Sequence, residues 1–392
     1  FVSPLLAPNQ AWACFRLSTQ ATAHDGFEQL RDIMPLGEAL ARAFPLLLTP
    51  DPQWLAEGEF IQKICRNQAI LALPDSVVGK PDTEALCKRV QQSGAKLGLC
   101  VSDSAVIKKV SAANFAYLMF DAQAARNSVP LIDLINAHQF GFQLVATGVD
   151  GHELFDWAAS KRFSLFSSEF ITTADPRLGN DADTTRLKLM RLLSLVVQDA
   201  DTREIEEIFR QEPKLSYNLL RLVNSVAVGP KTPITGFNQA ITVLGRRQLQ
   251  RWLQLLIYAN QFGQGGQPNP LLQLAAARGR QLELLTSSLP SGALGQEARE
   301  EAFMVGIFSL LDVVLRMPMA EILSSLPLDE PVTQALGARA GMLGKLLSAI
   351  IAGESGQLDE AAATLRGLGI PPAAHFAATV DAYSWASKIT IE

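Results

Sequence analysis

Six short apolar runs, AWACFRL, FPLLL, AILAL, KLGLCV, FAYLMF and FQLVAT, are spread through the first half of the chain, with amphipathic stretches such as TEALCKRVQQSG between them. Strands buried on both faces read as near-continuous apolar runs, and parallel pairing needs long, usually helical, connections. The pattern therefore predicts repeated β-α units forming a barrel or an open α/β sheet. Asp82 or Thr83 is placed to cap the helix through Leu86 and Val90, and Gly94 to end it.

No comparable run recurs after Asp183. Apolar residues there return at helical spacing over Leu187–Val197, Thr202–Arg210, Lys214–Asn224, Asn238–Tyr258, Leu271–Leu289, Ala298–Leu315, Val332–Ala352, Leu358–Leu368 and Ala373–Ser387. Asp201 with Glu204 has capping-box spacing, Pro213 suits a first helical turn, and Gly367 with Pro371 and Pro372 stops a helix. The fold class expected is α/β and then all-α, with domains at 1–175 and 183–392 joined through TTADPRLGNDADTT, Thr172–Thr185. The second domain carries its own caps and apolar faces and is expected to fold alone. QFGQGGQPNP, Gln261–Pro270, reads as a loop inside it, and no fixed-period repeat points to a solenoid.

A chain of 392 residues suits two cores rather than one. With 34 basic against 39 acidic residues the net charge is −5, so no polycationic field is available to hold a phosphate backbone, and nucleic acid is disfavoured as a partner. Cys14, Cys65, Cys87 and Cys100 have no zinc-type spacing, and His24, His138, His152 and His375 form no cluster. A reducing cytoplasm is the expected location. No apolar run reads as long enough to cross a bilayer, and FVSPLLAPNQ lacks the basic flank of a signal peptide.

The segment NLLRLVNSVAVGPKTPITGFNQAITVLGRRQLQRWL, Asn218–Leu253, resembles the opening of the HD-related output domain. The matching residues, in order, are Leu222, Asn224, Ser225, Gly229, Ile234, Gln239, Ala240, Ile241, Leu244 and Gly245. Gly229 permits a turn, Thr235 can cap the next helix, and Ile241, Leu244, Trp252 and Leu256 recur near one face. In the related HD phosphohydrolases a later helix carries Gly-Leu-Leu-His-Asp-Ile-Gly, whose His-Asp pair binds a metal that activates water. Aligning Gly306, Ile307 and Phe308 of AFMVGIFSLLDVVL puts Ser309 on that histidine, Leu310 on the aspartate and Asp312 on the last glycine. The resemblance implies a helical domain without that metal pair, with AFMVGIFSLLDVVL kept as packing.

Residues 1–175 resemble a shortened, degenerate EAL domain, the barrel that hydrolyses cyclic di-GMP with carboxylates and metal. The resemblance rests on LVATGVDGHELFDWAASKRFSLFSSEFI, Leu144–Ile171, and on an anchor at Pro4. It puts Arg16 on the glutamate of the EAL triplet, Leu47 near an asparagine ligand, and Ala72 on a further glutamate. Cys100 and Val101 fall on the paired aspartates, Met119 on a lysine, Thr147 and Asp150 on late glutamates, and Phe166 near a glutamine. Two-metal cleavage needs several converging anionic ligands, so the resemblance implies a lost metal set, no cofactor and no enzyme.

Asp121 and Asp150, at strand ends, read first as loop or cap residues, and Met119 and Trp252 as core. Arg246, Arg247 and Arg251 lie within two turns, with Arg247 and Arg251 at i,i+4. They are the candidate surface for an acidic partner or for the barrel. The function expected is a non-enzymatic scaffold for signalling proteins, away from membranes and open to self-association. The alternatives are a cyclic di-GMP sensor without hydrolysis and, behind it, a phosphodiesterase.

Overall fold

A computed structural model describes residues 1–19, 28, 30–51, 54–56, 69–175, 183–198, 200–211, 213–225, 233–259, 268–289 and 296–389. Gly229, His24, Cys65, most of the Gln261–Pro270 segment and half of Thr172–Thr185 lie outside the described residues. The chain divides into two units, Phe1–Thr173 with Ala352–Ala362, and Ala174–Ile351 with Ala363–Glu392.

In the first unit eight strands close into a barrel in sequence order: β1 Val2–Leu6, β2 Trp12–Leu17, β3 Leu46–Leu48, β4 Ile70–Pro74, β5 Lys96–Cys100, β6 Tyr117–Asp121, β7 Gln143–Thr147 and β8 Leu165–Ser167. The six apolar runs are β2 to β7, paired in parallel as their long connections require. The two strands that close the ring were not legible as strands. β1 contains Pro4 and runs antiparallel to both β2 and β8, and β8 is three residues long. The interior is filled by Leu5, Cys14, Leu47, Ile70, Ala72, Tyr117, Met119, Val145 and Leu165, so the barrel is a packed core. Burial there pushes the Cys14 thiol up to about 12, which keeps it protonated.

The barrel helices are α1 Glu38–Ala43, α2 Thr83–Gln92, α3 Ala122–Ser128, α4 Leu131–Gln139 and α5 His152–Ser160. Neither Asp82 nor Thr83 caps α2 with its side chain: Asp82 is in helical conformation, and the Thr83 hydroxyl donates to the Val77 carbonyl at 2.6 Å. Gly94, at φ +83°, does follow the helix end.

The described residues from Asp183 on form helices: α6 Asp183–Val197, α7 Thr202–Gln211, α8 Pro213–Val223, α9 Phe237–Ala259, α10 Pro270–Ser287, α11 Gln296–Phe308, α12 Leu311–Leu315, α13 Met319–Ser325, α14 Glu330–Gly337, α15 Gly341–Glu354, α16 Leu358–Gly367 and α17 Pro372–Ala386. Three expected single helices are interrupted. Ala298–Leu315 breaks at Ser309 and Leu310, and Val332–Ala352 breaks where Arg339 takes φ +53°. α9 kinks at Gly245, whose φ of 75° and ψ of 162° suit a residue without Cβ. By composition Glu330–Glu354 passes as a membrane-crossing helix, which the sequence reading had not credited, but it holds the break between α14 and α15 and half of it is buried.

The motif residues before α9 act as a clasp. The Asn224 amide group donates to the Ile234 carbonyl and accepts from the Ile234 amide, each at 2.7 Å, while the Gln239 side chain accepts from the Thr235 amide at 2.8 Å. Thr235 is thus capped by Gln239 instead of capping the helix itself. Asp201 caps α7 through the Arg203 amide at 2.9 Å.

His375, on α17, is 6% exposed beside Gln281 and Thr379, whose side chains are 2.7 Å apart. Burial pushes its pKa down to about 3. Between that value and about 6.5 the unfolded chain binds a proton that the folded chain does not, so stability is full above about 6.5 and falls by about 1.4 kcal/mol per pH unit below it. Urea unfolding at pH 7.5 and 5.0 should show a loss of about 2 kcal/mol, and the loss should shrink in His375→Gln. An equal loss in both proteins would assign the acid sensitivity to other groups.

Candidate functional site

The C-terminal ends of the barrel strands open on a cleft of 640 Å³ whose lining includes Arg16, Asp75, Cys100, Ser102, Asp121 and Thr147. In a barrel of parallel strands this is the end where loop and strand-end side chains converge. Arg16 enters from β2, opposite Leu47 of β3. Its Nε donates to the Ser18 hydroxyl at 3.3 Å, and among the described residues no carboxylate pairs with it.

Asp75 follows β4. Its Oδ2 accepts from the Ser102 amide at 2.7 Å and from the Ser102 hydroxyl. Burial acts to raise this carboxyl, but the Ser102 bonds and the amides of Asp103 and Ser76 hold it below its ordinary value. Cys100 is half-buried; burial and the Asp75 charge push its thiol up while Arg16 pulls it down. Asp121 lines the cleft and also caps α3, accepting from the Ala124 amide at 2.8 Å. The Thr147 hydroxyl donates to the Phe120 carbonyl at 3.0 Å.

The structure brings Arg16, Cys100, Val101, Met119 and Thr147 to this one cleft. Ala72 is fully buried in the barrel interior, Phe166 is fully buried, and Asp150 is exposed and not among the lining residues. Met119 is core and lining at once. Sequence reasoning passed over Asp75 and Ser102; the available signal was an acid directly after the apolar run AILALP.

The resemblance to the EAL barrel implies divalent metal here. Two carboxylates line the cleft, each already holding backbone or hydroxyl groups, and Arg16 adds a fixed positive charge. Among the described residues no three His, Cys, Asp or Glu side chains group together as metal ligands. This donor set does not fit a two-metal centre, and no step is routed through one.

At the α11–α12 break, Ser309 is 5% exposed, accepts from the Arg278 guanidinium at 3.0 Å and donates to the Gly306 carbonyl at 2.7 Å. Leu310 is 3% exposed. Burial and the nearby Arg278 lower the pKa of Arg339, with Asp312 opposing them, and burial raises that of Tyr258. A guanidinium, where a metal would need electron-pair donors, makes this a poor metal site too. Arg278, unseen in the sequence reading, is the basic residue of a buried stretch, LLQLAAARG, and is itself buried.

The three arginines proposed as one partner surface separate into different roles. Arg247 is exposed, 3.5 Å from Glu300, and Arg246 donates to the Ala200 carbonyl at 2.5 Å. Arg251 does not belong to a free surface: it pairs with Glu283 at 2.5 Å and lies over the Phe303 ring, 4.5 Å from its centroid. The i,i+4 spacing placed it beside Arg247, but the neighbouring α10 covers it.

Residues 184–326 match the HDOD domain, and the closed eight-stranded barrel precedes that segment in the chain. Among curated relatives, the cyclic di-GMP phosphodiesterase CdgJ of Vibrio cholerae is 28% identical over 206 residues, 52% of this chain and 46% of that protein. The uncharacterized protein YuxH of Bacillus subtilis is 27% identical over 202 residues, 50% of this chain and 47% of that protein. The chain spans about half the length of these relatives. The solved EAL domain of Mycobacterium smegmatis DcpA aligns with 42% of this chain and 87% of its own, at 17% identity and a TM-score of 0.35. The expectation of a chain that is not an enzyme is overturned by the match to a relative named as a phosphodiesterase, and is withdrawn.

Proposed function

We propose that this chain is a cyclic di-GMP signalling protein whose barrel takes the cyclic dinucleotide at the mouth of its parallel strands and whose HDOD domain relays the result to a protein partner in the cytoplasm. The observation that carries it is the cleft at the strand ends, where Arg16 has no carboxylate partner among the described residues and the Asp75 and Asp121 side chains line the same space. A guanidinium suits a phosphodiester oxygen, and carboxylate lone pairs suit the N–H edge of guanine. Cleavage of that phosphodiester is the activity carried over from the name of the Vibrio cholerae relative.

The test is equilibrium binding of cyclic di-GMP to the full chain, with formation of the linear dinucleotide followed in the same samples with Mg²⁺ or Mn²⁺. Saturable binding that GTP does not compete away is the expected result, and product above the no-protein control would add the cleavage step. A chain that neither binds nor turns over the nucleotide under any of these conditions would overturn the reading.

A further inference from the structure

Arg16 and the donor set of the cleft point beyond the choice of ligand. Its Nε is taken by the Ser18 hydroxyl, and neither terminal nitrogen has a partner among the described residues. Those nitrogens form the edge with which a guanidinium makes two parallel bonds to a phosphate. The acids around it are committed to the fold. Asp75 gathers the loop after β5 through Ser102, and Asp121 starts α3. The hydroxyl of Thr147 is spent on a carbonyl, Met119 offers only a thioether, and Cys100 offers only a thiol.

We infer that the barrel mouth holds the phosphodiester of its ligand directly on Arg16, with no divalent cation between protein and phosphate. The inference rests on the proposed function, since it concerns how that nucleotide is held. A cation placed against the phosphate would meet the fixed charge of Arg16 in the same cleft, whereas the guanidinium supplies charge and geometry together. The carboxylate lone pairs that Asp75 and Asp121 do not spend on Ser102 and Ala124 suit the hydrogen-donating edge of the ligand.

The experiment is calorimetric titration of the full chain with cyclic di-GMP in EDTA, in Mg²⁺ and in Mn²⁺, repeated for Arg16→Met and Arg16→Lys. Affinity in EDTA should equal that with metal to within about two-fold. Arg16→Met should weaken binding in EDTA by about ten-fold or more with unchanged melting, and Arg16→Lys, which keeps charge without the fork, should fall between. Binding that appears only with metal, or that survives Arg16→Met unchanged, overturns the inference and leaves the cyclic di-GMP reading standing. No binding in any buffer would instead count against that reading. If Arg16→Met melts early, inorganic phosphate competition against cyclic di-GMP on the unmodified chain decides: competition in EDTA supports a direct anion contact, and its absence there overturns it.

Discussion

Replacing Arg251 by glutamate is expected to destabilise the helical unit by about 3–5 kcal/mol, while the same change at Arg247 should cost under about 1 kcal/mol. The side chains of Arg251 and Glu283 are 19% and 10% exposed, so their 2.5 Å pair is poorly screened by water. Glu283 also accepts from Arg280 at 3.0 Å, and Arg280 reaches Asp381 at 3.0 Å, so the four charges link α9, α10 and α17. A glutamate at 251 sets two carboxylates against each other and removes the cation from the Phe303 ring. Arg247 is 72% exposed and 3.5 Å from Glu300, a geometry that contributes little. Thermal melts of the two single variants separate the cases: Arg251→Glu should melt roughly 10 °C lower and Arg247→Glu close to the unmodified chain. Arg251→Met, which leaves Glu283 with Arg280, should fall between them. If Arg251→Glu melted with the unmodified chain, the network would be ornamental and Arg251 would return to the surface.

That outcome also measures what the sequence could and could not convey. Periodicity located six strands and most helices, because buried strands and one-sided helices each leave their period in the apolar residues. It missed β1 and β8, since one holds a proline and the other is too short to show a period. It ran helices through Ser309, where no glycine or proline stands at the break and the interruption goes with tertiary contacts such as Arg278 with Ser309, and through Arg339, although Gly337 and Gly341 flank that break. At the barrel mouth, family resemblance aligned positions one at a time and assigned each a loss. The structure shows instead which groups remain together: Arg16, Asp75, Ser102, Cys100 and Asp121 share one cleft although they come from four segments of the chain. Such convergence is a property of the closed ring, which local periodicity does not encode.

The second large effect is expected at Gly306, where a single methyl group should separate two helices. A Cβ built there would stand 2.5 Å from the Gly279 nitrogen and Cα and from the Arg278 carbonyl carbon, and one on Gly279 would stand 2.9 Å from the Ile307 side chain. The neighbours of Gly306 are backbone atoms of α10, so no rotamer change relieves the contact; the helices themselves must move apart. Moving them also strains the Arg278–Ser309 bond and the bond from the Tyr258 hydroxyl to the Ile307 carbonyl, both set at this crossing. Gly306→Ala is therefore placed at the upper end of overpacking costs, about 3 kcal/mol or more, although alanine is the better helix former by about 1 kcal/mol. Gly367→Ala is the control: nothing lies within 4 Å of its Cβ position, and the change should leave stability level or raise it by about 0.4–1 kcal/mol. Chemical denaturation of the two variants followed by circular dichroism should lower the midpoint of Gly306→Ala and leave that of Gly367→Ala level or higher. A Gly306→Ala chain as stable as Gly367→Ala would mean that α10 and α11 do not approach at their glycines, and the buried Arg278–Ser309 arrangement that depends on that approach would fall with it.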